Sequence, residues 1–315
     1  MIRYILKRLL IAIPVLLGIT ILDYFIMSLA GNPMEMMIGP RITQAAIEER
    51  AALLGLDKPI LVQYWNWLKE AMQGNFGYSF KQNLAVTRLI GNNVAPTVLL
   101  MGLSLVLSML IAIPAGIYSA VHQYSKTDYA IVTASFIGSS VPSFFLALTM
   151  VYFFNLRLGW LPSSGMTTLG TAWSLTDTLR HMVLPVGVMV FSVVGVNIRY
   201  IRASMLEIME QDYLRTAKAK GIGRRRVINK HALRNALLPI ITIFGMQIPM
   251  LFSGSVVIEQ VFSWPGLGLL TMSSILNRDY PLIMGVSLLS AVVVLIANLV
   301  TDILYAIVDP TIQYT

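Results

Sequence analysis

The sequence of 315 residues contains no cysteine. Disulfide bonds, thiolate metal sites and cysteine nucleophiles are therefore excluded. Charged residues are also scarce, because they make up 12% of the chain where an ordinary soluble domain has about a quarter. Hydrophobic residues make up 56% of the chain, and this balance places the protein in a lipid bilayer.

The sequence also lacks the motifs of several enzyme classes. No G-x-x-x-x-G-K-[ST] pattern occurs, so the chain does not bind ATP through a P-loop. The histidines His122, His181 and His231 lie far apart without a metal-binding spacing, and no G-x-S-x-G nucleophile motif is present. We therefore expect no enzyme activity, no metal site and no cofactor bound by this chain itself.

Hydrophobic stretches long enough to cross a bilayer recur along the chain. The first follows Arg3, Lys7 and Arg8, and its roughly 20 residues exceed the hydrophobic region of a secretory signal, so we predict a retained transmembrane helix. The predicted fold is an all-α polytopic membrane protein with six transmembrane helices, at about residues 9–29, 97–121, 129–156, 181–201, 238–262 and 281–308.

Three parts of the chain follow from these spans. Residues 1–30 form the first transmembrane helix, 31–96 an external loop with short helices, and 97–315 the core domain with a cytoplasmic loop at 202–237. The external loop contains two predicted helices, at about 44–54 and 60–72. Tyr64, Trp65 and Trp67 in the second favour the membrane interface. The alternative is a small helical subdomain packed on the ends of the spans.

The distribution of basic residues predicts the orientation. With the N-terminus inside, segment 199–236 carries ten lysines and arginines, whereas the external segment 263–280 carries one. The positive-inside rule therefore places both termini in the cytoplasm. The same rule accounts for the net charge of +8, so we expect membrane lipid and not nucleic acid to face these residues. Asp23 lies inside the first span, where it serves either a function or contact with a neighbouring helix.

The longest polar interruption in the second half of the chain begins at Glu207. Acidic residues come first and basic residues follow, an order that complements a helix dipole. Apolar residues from Met205 to Ala217 recur at helical spacing, and Gly221 and Gly223 end the helix. A short amphipathic helix joined to two spans can transmit the movement of a partner protein. A helix lying passively on the membrane would show the same pattern.

A second helix is predicted from about residue 224. Arg224, Arg225 and Arg226 then lie at the positive end of its dipole, so helix stability does not explain them. They contact either anionic lipid headgroups or an acidic partner protein.

Motifs along the whole chain carry a family resemblance. In the cytoplasmic segment they are Ser204-Met205-Leu206-Glu207, Asp212-Tyr213-Leu214-Arg215-Thr216-Ala217-Lys218-Ala219-Lys220-Gly221 and His231-Ala232-Leu233-Arg234-Asn235-Ala236-Leu237-Leu238-Pro239. Elsewhere they are Leu54-Gly55-Leu56-Asp57-Lys58-Pro59, Gly74-Asn75-Phe76-Gly77-Tyr78-Ser79, Ile113-Pro114-Ala115-Gly116, Phe262-Ser263-Trp264-Pro265-Gly266-Leu267-Gly268 and Arg278-Asp279-Tyr280-Pro281. With these motifs the sequence resembles the permease subunits of ATP-binding-cassette (ABC) importers of the peptide and nickel group. Its long first loop resembles the B-type subunit, the first of two paired permeases.

One departure from the general importer pattern narrows this resemblance. Arg215-Thr216-Ala217 stands where importers in general carry Glu-Ala-Ala, and the distance from Gly221 to Pro239 is longer. The peptide group shows the same variant. A salt bridge usually assigned to that glutamate is therefore not carried over to this chain.

The resemblance implies a type I importer permease in the cytoplasmic (inner) membrane of a prokaryote. Its partners would be a homologous second permease (C-type), two ATPase subunits that bind ATP and Mg²⁺, and an extracytoplasmic peptide-binding protein. The cargo would be peptides, with a nickel chelate or glutathione as alternatives. A coupling helix at about 216–223 would contact one ATPase through Arg215, Thr216, Ala217, Lys218, Ala219, Lys220, Gly221, Ile222 and Gly223.

Polar residues in the later spans are candidates for the substrate path between the two permeases: Asn197, Arg199, Gln247, Ser253, Ser255 and Glu259. Hydrogen bonding between helices is the alternative role for each of them. A stand-alone secondary transporter is the alternative function. It would need coupling charges within the spans, and apart from Asp23 and Asp302 the spans are poor in acidic residues.

Overall fold

The computed structural model describes residues 2–29, 49, 51–52, 55–221, 223, 240–241, 243–245, 247–248 and 255–308. All the regular elements in these ranges are helical, apart from one isolated bridge between Tyr78 and Ala85. The predicted all-α fold is therefore confirmed.

Eleven helical segments occur in the described part of the chain. They are α1 (Ile2–Leu29), α2 (Ile60–Met72), α3 (Val86–Val121), α4 (Lys126–Ser140), α5 (Ser143–Met150), a π-helix that continues it (Val151–Arg157), α6 (Leu175–Met209), α7 (Asp212–Ala219), α8 (Val256–Val261), α9 (Leu267–Leu276) and α10 (Tyr280–Val308).

Four of these helices are long and apolar enough to cross a membrane. They are Leu10–Leu29 of α1, all of α3 and α6, and Tyr280–Ile303 of α10. The pair α4 and α5, with its π-helix, makes a fifth if it is counted as one bent span. A multi-pass membrane protein is thus confirmed. Of the predicted span 238–262, residues 238–239, 242, 246 and 249–254 lie outside the described residues, as does most of the predicted helix 44–54.

The helices α3 and α6 extend well beyond the predicted spans. The first turns of α3 pack against α9 and α10, since Val86 and Leu89 share a core cluster with Leu267, Leu270, Leu282 and Val286. The last turns of α6 continue past Arg199 and Arg202 because both side chains find hydrogen-bond partners on α4. Tertiary contacts therefore lengthen both helices where hydropathy alone would end them.

The predicted span 129–156 is wrong as a continuous helix. The chain breaks at Val141 and Pro142, and the axes of the two helical parts differ by 92°. Val141 adopts an extended conformation with φ −81° and ψ 122°, as residues before proline prefer, and Pro142 has no N–H to continue the helix. By contrast, Pro14, Pro114 and Pro185 lie inside uninterrupted helices.

Helix α6 lies at the centre of the bundle, with extensive contacts to α3 and α4. A Cβ atom added to Gly195 of α6 would lie 2.3 Å from the Ser135 carbonyl oxygen of α4, and one added to Gly116 of α3 would lie 2.8 Å from the Ile201 side chain of α6. Small residues permit this close backbone approach, which is the usual basis of helix association in membranes.

The segment between α1 and α3 is attached to the transmembrane helices at two places. Tyr64 of α2 lies 3.0 Å from the Thr20 hydroxyl of α1, and the Tyr24 hydroxyl donates to Gln63 at 3.1 Å. Helix α2 therefore packs on α1. This contact agrees with the alternative prediction of a small helical subdomain packed on the ends of the spans. The buried carboxylate of Asp279 accepts hydrogen bonds from the Ser79 hydroxyl and from the backbone N–H of Phe80.

Asp23 occupies a contact between helices. Its side chain is hydrogen bonded to Ser287 of α10, and α1 packs along α10. This geometry favours the packing role that the sequence left as one of two alternatives.

The contact at Gly195 leads to a testable prediction. We expect Gly195→Ala to lower the midpoint of thermal unfolding in detergent, because the added methyl group must displace the α4 backbone at a cost of about 1–3 kcal/mol. The matched control is Gly187→Ala in the same helix, where an added Cβ has no neighbour within 4 Å. Equal midpoints for the two variants would contradict the close approach of α4 and α6.

Candidate functional site

The polar segment that follows α6 contains a separate short helix. Helix α6 ends at Met209, the chain turns at Glu210 and Gln211, and α7 covers Asp212–Ala219. The apolar spacing predicted one continuous helix through this region, and that prediction is wrong at residues 210–211. Asp212 lies in the first turn of α7, where a carboxylate interacts favourably with the helix dipole.

Among the described side chains of α7, Leu214 anchors the helix to α6. Leu214 is 1% exposed and belongs to a core cluster with Ile201 and Met205 of α6 and Ala112 and Ala120 of α3. On the opposite side, Tyr213 is 43% exposed, and Thr216 and Lys220 are exposed as well. One face of this helix is therefore packed on the bundle, and the described side chains of the other face are exposed.

Gly221 follows the end of α7 in a left-handed conformation. Its φ is +77°, and an added Cβ would have no neighbour within 4 Å. The backbone conformation, and not a lack of space, therefore favours glycine here. The predicted helix stop at Gly221 is confirmed, whereas the predicted coupling helix at about 216–223 is wrong in its bounds, because α7 begins at Asp212 and ends at Ala219. Gly223 is exposed. Ile222, Arg224, Arg225 and Arg226 lie outside the described residues, as do the side chains of Arg215, Ala217 and Lys218.

An ion pair next to α7 was not predicted from the sequence. Arg202 of α6 donates from Nε to Asp128 Oδ1 at 2.8 Å and from Nη2 to Asp128 Oδ2 at 2.7 Å. The Asp128 carboxylate also accepts hydrogen bonds from the Ser119 hydroxyl of α3 and, at 2.9 Å, from the Tyr124 backbone N–H. Asp128 is 2% exposed. The ends of α3, α4 and α6 therefore meet at one carboxylate.

One signal for Asp128 was present in the sequence. Ser125 and Asp128 form the S-x-x-D pattern of a helix capping box, and the Asp128 N–H donates to the Ser125 hydroxyl at 3.1 Å. The pattern predicts the start of α4 but not the burial of Asp128. Its partner Arg202 lies 74 positions away, and no local pattern connects the two residues.

The structure brings together two of the candidate path residues. The buried Asn197 side chain donates to the Ser108 hydroxyl at 3.2 Å and accepts from Gln247 Nε2 at 2.8 Å. Arg199 donates to the Ser135 carbonyl at 2.9 Å and to the Ser139 hydroxyl at 3.1 Å. In this single chain, these polar groups form hydrogen bonds between helices.

Other candidate path residues lie at the opposite end of the bundle. Glu259 is 0% exposed and accepts from the Thr97 hydroxyl and from the Leu269 N–H, both at 2.9 Å. Glu259 therefore joins α8 to the first turn of α9 and to Thr97 of α3. Ser255 caps α8 by accepting from the Ile258 N–H at 3.4 Å, and Ser253 lies outside the described residues.

Within the described ranges, acidic and histidine side chains do not cluster at either end of the bundle. Among the residues that the structure describes, no three histidine, aspartate or glutamate side chains converge as metal ligands. The α7 end of the bundle combines a short helix, the buried side chain of Leu214 and the buried ion pair of Asp128 and Arg202.

Comparisons with known proteins identify the family. Residues 112–314 match the family described as the binding-protein-dependent transport system inner membrane component, and residues 1–102 match the N-terminal region described for such components. The oligopeptide transport system permease protein AppB of Bacillus subtilis is 47% identical over 100% of both chains. The glutathione transport system permease protein GsiC of Escherichia coli is 37% identical, also over 100% of both chains.

A solved structure has the same fold. The inward-facing MetNI methionine ABC transporter aligns with a TM-score of 0.55 and 16% identity over 71% of this chain and 97% of the other. The similarity of fold agrees with the sequence matches, which together cover nearly the whole chain. The chain therefore belongs to the family of binding-protein-dependent transport system inner membrane components, the ABC importer permeases that its sequence resembles.

Proposed function

We propose that this chain is the permease subunit of an ATP-driven importer that moves peptides into the cell. The observation that carries the proposal is the 47% identity to an oligopeptide permease over the full length of both chains. The lack of a P-loop in this chain requires separate ATPase subunits, which would bind ATP and Mg²⁺. A second permease and an extracytoplasmic peptide-binding protein complete the proposed assembly in the prokaryotic cytoplasmic membrane.

The proposed contact with the ATPase is the exposed face of α7. This helix is short, its Leu214 side chain is buried against α6, and a left-handed glycine follows it. A rigidly anchored helix of this kind can transfer a displacement to the helices on which it packs. The excess of basic residues in segment 199–236 supports a cytoplasmic position for α7.

Glutathione is a second candidate cargo. It rests on the 37% identity to the glutathione permease GsiC, again over the full length of both chains. This identity is lower than the 47% to the oligopeptide permease, so we rank glutathione below a longer peptide as the cargo.

The direct test is uptake by the complete complex in sealed vesicles. A labelled oligopeptide should accumulate only when the binding protein and ATP are both supplied, and glutathione supplied in excess should reduce this uptake only if both cargoes share the path. Accumulation driven by an ion gradient in the absence of ATP would contradict an ABC importer and support a secondary transporter.

Gly221 provides a sharper test of the role of α7. We expect Gly221→Pro to stop peptide uptake while the complex still hydrolyses ATP, since proline requires a φ near about −65° where the structure has +77°. The measurement is uptake and ATP hydrolysis in the same vesicles.

A matched substitution controls for the effect of proline itself. Gly170 also has a positive φ, +80°, and an added Cβ there has no neighbour within 4 Å, but it lies between the π-helix and α6, far along the chain from α7. We expect Gly170→Pro to leave the ratio of uptake to hydrolysis unchanged. Normal uptake by the Gly221→Pro complex would show that the turn after α7 has no part in coupling.

A further inference from the structure

We propose that Asp128 and Arg202 are positioning residues that carry the movement of α7 to α3 and α4. This inference rests on the proposed function, because it assumes that α7 is moved by an ATPase. It adds a path by which that movement reaches the transmembrane helices, through a bidentate ion pair that is not itself part of α7.

The first step of the path is apolar. Leu214 of α7 packs in one cluster with Ile201 and Met205 of α6. All three side chains are at most 1% exposed. A displacement of α7 toward the bundle therefore acts on α6 over the turn that contains residues 201–205.

The second step begins on the same turn of α6. Arg202 follows Ile201 directly and donates two hydrogen bonds to Asp128, at 2.8 and 2.7 Å. Two parallel bonds between planar groups define orientation as well as distance. The other two contacts of the carboxylate, from the Ser119 hydroxyl and the Tyr124 N–H, connect it to the end of α3 and to the turn between α3 and α4.

The close contacts of α6 at glycine residues resist compression more strongly than they resist separation. Gly195 lies close to the α4 backbone, and Gly116 of α3 lies close to the Ile201 side chain of α6, so both contacts strongly resist being pushed together. These glycine contacts resist separation and sliding only through weak dispersion forces. Arg199 and Asn197 also bond α6 to α4 and α3, but they precede the turn of α6 that contacts α7. The ion pair resists displacement in both directions, because its two hydrogen bonds lengthen or bend whichever way α6 moves.

An importer cycle moves its coupling helix in both directions. Packing alone would carry the inward displacement of α7 to α3 and α4, but the return displacement requires an attractive connection. The Asp128–Arg202 ion pair lies where that connection is needed, between the turn of α6 that contacts α7 and the ends of the two neighbouring helices.

The test compares peptide uptake with ATP hydrolysis in vesicles that contain the complete complex. We expect Asp128→Asn and Arg202→Gln to lower the number of peptides taken up per ATP hydrolysed by about fivefold or more. A purely structural role would reduce the amount of assembled complex but leave this ratio unchanged, and that result would overturn the proposal.

A conservative variant separates charge from geometry. Arg202→Lys keeps the positive charge but loses the planar fork that makes two bonds. We expect it to restore the amount of assembled complex while the ratio of uptake to hydrolysis remains low. If Arg202→Lys restores the ratio as well, a point charge suffices and the proposed positioning by a bidentate pair is wrong.

The matched control is another ion pair of the same chain. Arg8 of α1 and Asp302 of α10 lie 3.0 Å apart, and neither residue is on α6 or α7. We expect Arg8→Gln to leave the ratio unchanged. Failure of the proposed function would be distinguishable, since the unaltered complex would then show no ATP-dependent peptide uptake at all.

Discussion

The architecture depends on the close approach of the α4 backbone to Gly195 of α6. In a bilayer the hydrophobic effect does not drive helices together, so association depends on how closely their surfaces fit. Gly195 on one side of α6, and Gly116 of α3 on another, allow α6 to contact both neighbours at backbone distance. The same helix continues to Met209, where α7 follows. The best-packed helix of the bundle is thus the one connected to the proposed ATPase contact.

Features determined by local sequence could be predicted closely. The bounds of α2, the start of α10 near residue 281 and the stop at Gly221 all agree with the structure, because proline, glycine and hydrophobic periodicity act within a few residues. The prolines within the spans, Pro142 among them, suggested kinked helices, but not a break of 92° at Pro142. A proline inside a hydrophobic run can break a helix or, like Pro185, lie within a continuous one. Tertiary contacts decide between the two outcomes. The ion pair between Asp128 and Arg202 was missed for the same reason, since its partners meet only after folding.

Polar groups within the helices serve mainly to join them in this single chain. Asn197 and Gln247 bond to each other, Arg199 bonds to the α4 backbone, and Glu259 bonds to Thr97. Such groups are expensive to expose to lipid, so each one that finds a partner specifies how two helices pack. Sequence position alone could identify these residues as unusual, but it could not separate a role in packing from a role in a substrate path. Their partners favour packing.

The contact between Ser79 and Asp279 has a consequence for how the chain matures during translation. The two residues are separated by 200 positions. At ribosomal rates of roughly 5–20 residues per second, the second is made about 10–40 s after the first. During that interval, the segment before α3 has no carboxylate to accept the Ser79 hydroxyl and the Phe80 N–H. The contact that fixes this segment to the turn before α10 can therefore form only after Asp279 has been made, so the segment docks late in the synthesis of the chain.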